Sequence, residues 1–165
     1  MARFVTAEIA KREGVTTELI DVAGLPLPVD DAGEDIKDPG FSAKMEAADA
    51  IVLVAPEYNH SFPGLLKHAL DTCLAEYIHK AAGIVGVSAG PWGGTRVVQN
   101  LLPVLRELGL MTIFTDVNFS SVGKAFDEEG NLVETAYVKR TANFIDELVW
   151  MAQVLRHGRE NVPQE

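Results

Sequence analysis

The sequence predicts an α/β fold built on a parallel β-sheet, and three observations carry that prediction. Ala50-Ile51-Val52-Leu53-Val54 is apolar at every position, as a strand covered on both faces requires. A second compact run of strand type, Gly83-Ile84-Val85-Gly86-Val87, follows thirty residues later. Segments with helical spacing lie between and after these runs, which is the βαβ pattern. The 165 residues fit one domain with one sizeable core, and no internal repeat is visible.

Each element has its own warrant. In Ala2 to Arg12, Val5 and Ile9 stand four apart, and Gly14 closes that helix in the left-handed position. Thr17 to Val22 reads as a short strand. Ala23 to Gly40 is a loop rich in Pro, Gly and Asp, and Asp38-Pro39 introduces a helix over Phe41 to Ala48. Pro63 opens a helix reaching Leu74, with Leu66, Ala69, Leu70, Cys73 and Leu74 along one face. Thr95 to Leu108 is a helix expected to kink or break near Pro103. Thr112 to Phe114 is a short strand. The last helix, Thr135 to Leu155, carries Tyr137, Thr141, Phe144, Leu148, Met151 and Leu155 as a core stripe, and the tail after His157 is expected to fray.

Composition excludes several classes. A net charge of −10, with 14 basic residues against 24 acidic, argues against non-specific nucleic-acid binding. No apolar run approaches the ~20 residues that cross a bilayer, and the first residues lack the apolar region of a secretory signal. Cys73 stands alone, so no intramolecular disulfide forms, and neither disulfide nor zinc chemistry is expected. A cytoplasmic protein, with no membrane partner, is the expectation.

In parallel sheets ligands bind where strand C-termini meet helix N-termini. Two such turns stand out. Pro56-Glu57-Tyr58-Asn59 ends the first apolar strand with a carboxylate, an aromatic and an amide together, more than a connecting loop needs. Tyr supplies a flat apolar face and Asn both donor and acceptor, a set that suits a planar heteroaromatic ligand such as a flavin. The second turn, Ser88-Ala89-Gly90-Pro91-Trp92-Gly93-Gly94, offers glycines that let backbone N–H groups approach a ligand. Trp92 suits either covering a ring or packing on a neighbouring subunit. Gly86 to Gly90 also matches the G-x-S-x-G of serine hydrolases, but the only histidine after Ser88 is His157, beside Gly158, and four residues separate the serine turn from its helix. His68 and Lys67 read as helix-face residues, Cys73 as core, and His60 is left open between a loop and a site role.

With these segments set out, P-E-Y-N-H-S-F-P-G-L-L-K-H-A-L-D from Pro56 and V-S-A-G-P-W-G-G-T-R from Val87 strongly resemble the NADPH-dependent FMN reductase family. Its members are flavodoxin-like three-layer α/β/α sandwiches and include quinone, azo-dye and chromate reductases. The resemblance covers most of the chain, with His68 where an asparagine is often seen. It implies a five-stranded parallel sheet, bound FMN, a homodimer or homotetramer, and hydride transfer from NAD(P)H to flavin N5 and on to a small-molecule electron acceptor. It places Pro56, Glu57, Tyr58, Asn59, Ser88, Ala89, Gly90, Trp92, Gly93 and Gly94 at the isoalloxazine ring. No catalytic side chain is expected, because the cofactor carries the chemistry. Arg96 is a candidate for recognising the 2′-phosphate of NADPH.

One departure is expected to matter. Family members begin with a strand and a phosphate loop of the form G-S-x-R, whereas Met1 falls inside the helix that should follow it. Strand 1 lies between strands 2 and 3 in flavodoxin-like sheets, so both inner edges would be exposed. Losing about three charged hydrogen bonds would cost roughly 4–9 kcal/mol of FMN affinity. This favours a start upstream of Met1; the alternative is a non-catalytic flavodoxin-like remnant.

Overall fold

The computed structural model describes residues 1–163. Its sheet contains four parallel strands: β1 (Ala50–Pro56), β2 (Ala81–Val87), β3 (Met111–Thr112) and β4 (Val117–Phe119). β2 lies at the centre. β1 pairs with it over its whole length, from Ala50 opposite Ala81 to Pro56 opposite Val87. β3 and β4 share the other edge of β2, at Ala81–Ala82 and Val85–Val87 respectively. The mixed α/β architecture with a parallel sheet is therefore as expected, and the sheet has four strands among the described residues, against the five that the resemblance implies for the family.

Helices cover both faces. On one lie α2 (Pro39–Ala47), α3 (Gly64–Leu70) and α4 (Thr95–Glu107), whose Phe41, Met45, Leu70, Val97 and Leu101 pack on Leu53, Ala55, Ala82 and Ile84. On the other lie α1 (Ala2–Ile9) and α6 (Ala136–Asn161), with Val5, Phe144, Ile145 and Leu148 against Ala81, Val85 and Val117. Alternate residues of β1 divide between these cores, Leu53 and Ala55 to one, Val52 and Val54 to the other. Both faces must be apolar, which is why the strand sequence does not alternate. Gly83 is small because the Phe144 ring of α6 presses on β2: a Cβ there would lie 2.4 Å from the ring.

Several boundaries differ from the sequence reading. Thr17 to Val22 is not a strand; Val15 to Ile20 has no regular structure and pairs with nothing, and the Asp21 carboxylate accepts the Ala23 N–H to start a 3₁₀ turn at Val22–Gly24. Strand propensity is realised only against a partner, and no described strand occupies the outer edge of β1. α3 stops at Leu70, not Leu74. Pro103 does not break α4, which runs unbroken from Thr95 to Glu107. The carbonyl that Pro103 leaves without a donor belongs to exposed Gln99, where water can serve it. Phe114 lies outside any strand and is 96% exposed, because the chain bulges between β3 and β4. The Glu147 carboxylate pins that bulge, accepting the Phe114 N–H at 2.8 Å and the Thr115 N–H at 3.2 Å. α6 continues past His157 to Asn161, tied down by Arg159, which donates to the His79 carbonyl and to Asp49. A four-residue helix, α5 (Val122–Ala125), follows β4.

Candidate functional site

At the C-terminal ends of β1 and β2 the chain turns away from the sheet, and between the turns lies an open cavity of about 370 Å³. Glu57, Asn59, His60, Ser88, Ala89, Gly90, Trp92 and Arg96 line it. Six of the ten residues expected at the site are thus brought together around one space. Pro56, Tyr58, Gly93 and Gly94 do not line it, and His60 and Arg96, not among the ten, do.

The first turn is a tight reversal. Tyr58 and Ser61 exchange two backbone hydrogen bonds of 2.9 and 3.0 Å, and Asn59 and His60 between them both adopt positive φ, 48° and 68°. Asn tolerates this geometry well and His less so. The Asn100 amide donates to the His60 carbonyl at 2.9 Å and holds the turn against α4. Tyr58 points outward, 62% exposed. Glu57 continues the ladder of β1, its N–H donating to Val87 O at 2.8 Å.

The second turn is braced from within. The Ser88 hydroxyl accepts the Gly93 N–H and donates to the Gly90 carbonyl, both at 2.8 Å. Its proton is committed to the loop, not to a histidine, so the serine braces the turn and the hydrolase pattern is coincidental. The glycines of this turn also have a packing role. A Cβ on Gly94 would stand 2.5 Å from Val87 N, and one on Gly93 2.9 Å from the Asn118 Cβ. Gly93 and Gly94 let the loop fold back on its own strands, at φ of 64° and 75°. Gly90 does face open space. The N–H groups of Ala89 and Gly90 make no hydrogen bond among the described residues.

An ion pair joins the two turns. Arg96, in the first turn of α4, donates from Nη1 to Glu57 Oε1 at 2.8 Å and lays its guanidinium over the Trp92 ring, 5.3 Å from the centroid. A cation at a helix N-terminus opposes the helix dipole, so α4 itself gains nothing from Arg96 there. Its partner is a carboxylate whose side chain is only 10% exposed. The other oxygen, Glu57 Oε2, is buried and has no partner. Arg96 is therefore engaged with Glu57 through one of its guanidinium nitrogens.

Asn118 in the middle of β4 was not signalled by the sequence. Its Nδ2 donates to Asp116 at 2.6 Å, its backbone packs on Gly93, and its Oδ1 is buried without a partner. Burial pushes the Asp116 carboxyl above the usual carboxylate range. His68 donates to or accepts from nothing in the cavity; its Nε2 lies 2.8 Å from Pro28 O. Lys67 pairs with Asp71 on the surface.

A parallel α/β sheet with an open crevice at its strand C-termini defines the class of α/β proteins that bind ligands at that end of the sheet. The comparisons with known proteins resolve the class. The model of the NADPH-dependent FMN reductase family matches residues 1–124, and the chain belongs to that family. It is thereby an enzyme of the oxidoreductase class, in a family whose cofactor is FMN and whose reductant is NAD(P)H. An NAD(P)H-dependent FMN reductase of Pseudomonas aeruginosa is 35% identical over 133 residues, which span 73% of this chain and 70% of that one. An FMN-dependent NADPH-azoreductase of Staphylococcus aureus is 28% identical over 162 residues, spanning 90% of this chain and 84% of that one. Among solved structures, the flavoenzyme NAD(P)H:(acceptor) oxidoreductase FerB of Paracoccus denitrificans superposes with a TM-score of 0.72 at 25% identity, over 91% of this chain and 86% of that one.

Proposed function

We propose that this chain passes electrons from NAD(P)H to a small acceptor of the quinone or azo class at the crevice between the Pro56–His60 and Ser88–Gly94 turns. The observation that carries the siting is the open cavity between the two turns, lined by Glu57, Asn59, Ser88, Ala89, Gly90 and Trp92, with the N–H groups of Ala89 and Gly90 bonded to nothing among the described residues. Those groups fit the edge of an isoalloxazine ring, which alternates carbonyl acceptors with an N–H donor. FMN, when bound, supplies the hydride and electron chemistry.

The chain's own residues hold and shield. Glu57, Ala89 and Gly90 engage the ring edge, Ser88 fixes the loop that presents the two amides, and Arg96 ties that loop's Trp92 to Glu57. Trp92, 63% exposed, stands at the rim, where an indole face covers a planar acceptor or packs on a second subunit. Asn59 and His60 line the opposite wall, and Gly93 and Gly94 let the second turn pack on its own strands. The breadth of the opening suits varied acceptors. We take the working form to be a cytoplasmic homo-oligomer of single-domain subunits; no described helix is long and apolar enough to cross a membrane.

The test is steady-state oxidation of NADPH by the purified protein with added FMN and a benzoquinone. The reading expects turnover that depends on both. No turnover above the rate of free FMN would overturn it.

A further inference from the structure

We propose that the sheet edge at β3 is a self-association surface, where two copies of this chain meet about a twofold axis and each Phe114 enters a cavity of the other. The sheet ends at β3, which has no neighbour on its outer side among the described residues. Natural edge strands are blunted by charge, proline or a covering element, because an apolar edge left open recruits another chain. The segment Gly109-Leu110-Met111-Thr112-Ile113-Phe114-Thr115 holds neither a charged residue nor a proline, in a chain of net charge −10. That composition suits a covered face, not one kept in water.

The same edge carries a projection and a recess. Phe114 is almost wholly exposed, and the fold holds it there: Glu147 accepts the Phe114 N–H at 2.8 Å, the Thr115 N–H at 3.2 Å and the Thr115 hydroxyl. Beside it, between α4 and the sheet, lies a cavity of about 210 Å³ lined by Ala82, Ile84, Val98, Leu102 and Ile113, with Phe114 at its edge. An apolar cavity of about 150 Å³ takes a benzene molecule, so this one has room for a phenyl ring. A projection and a matching recess on one face are what a twofold interface needs, since the same patch must serve both copies. This favours a second copy over an unrelated partner. Met111 and Trp150 are exposed too, and Trp150 stands three residues along α6 from Glu147, which widens the apolar surface. None of these residues lines the crevice, so the inference does not depend on the siting of FMN; it names the face by which the homo-oligomer forms.

The test is sedimentation velocity across the micromolar range on the wild type, Phe114→Ala and Gln99→Trp, with folding checked by circular dichroism. Both substituted side chains are exposed, and Gln99 lines the cavity from α4. The wild type is expected to dimerise, and Phe114→Ala to raise the dimer Kd at least about 10-fold, as loss of an aromatic anchor does. Gln99→Trp separates a ring seated in a recess from mere apolar contact. It is expected to weaken the dimer by obstructing the cavity, whereas a flat apolar contact would gain from the added indole. A wild type that stays monomeric, which would leave this face to another partner, overturns the inference. So does a Phe114→Ala protein that dimerises like the wild type, or a Gln99→Trp protein that dimerises as tightly or more so. Should one variant not fold, the other decides. NADPH oxidation with FMN and a quinone is read separately, so each of these failures is distinguishable from failure of the proposed electron transfer.

Discussion

At the scale of single residues, the site is held by polar groups that satisfy one another across two loops. Ser88→Ala removes an acceptor from Gly93 and a donor to Gly90, a loss of about 1–3 kcal/mol of stability. Urea unfolding would measure it, and Ser88→Thr should restore most of it. Away from the site, buried Glu76 gives a pH prediction. Burial alone would raise its pKa, but the Ser42 hydroxyl at 2.6 Å and Lys37 at 2.9 Å outweigh that and bring it down to about 2. A depressed carboxylate stabilises the fold fully above its unfolded value and loses that contribution as pH falls. Stability should therefore drop between about pH 4.5 and pH 2, and Glu76→Gln should flatten that part of the curve in chemical unfolding at stepped pH. The Pro56–Asn59 and Ser88–Gly94 segments were legible because their composition is unusual for loops. Arg96 was legible only as a cation near the glycines: its engagement with Glu57 spans 39 positions, and no local pattern encodes it.

At the scale of elements, the glycines of β2 and its loop set the layer spacing. Gly83→Val would drive a side chain into the Phe144 ring and is expected to cost at least about 1–3 kcal/mol from overpacking, read as a lowered thermal midpoint. Gly94→Ala combines a left-handed φ with contact on the β2 backbone, so it should destabilise the protein and weaken flavin binding together. Gly90→Ala, facing open space, should leave stability within about 0.5 kcal/mol. β1, β2 and the helices covering them could be read from hydrophobic patterning. β4 could not, because three residues broken from β3 by a bulge carry no period. The Thr17–Val22 segment has strand composition, yet composition cannot supply the neighbouring strand that pairing needs. Pro103 misled in the opposite sense, since a helix tolerates a proline where the orphaned carbonyl meets water.

At the scale of the whole molecule, the fold brings two turns from strands thirty residues apart to one end of the sheet, and an ion pair closes them around a crevice. The family is shared with reductases of bacteria, and the crevice gives that kinship a physical content: fixed acceptors and donors at the wall, an aromatic at the rim. The central claim is that this crevice holds a flavin that NAD(P)H reduces. Its most direct test is the visible spectrum of the protein mixed with FMN and freed of excess, recorded without oxygen before and after NADPH. The account predicts a protein-bound flavin spectrum that bleaches with NADPH and returns when a quinone is added. A protein that retains no flavin, or retains one that NADPH leaves oxidised, would contradict it.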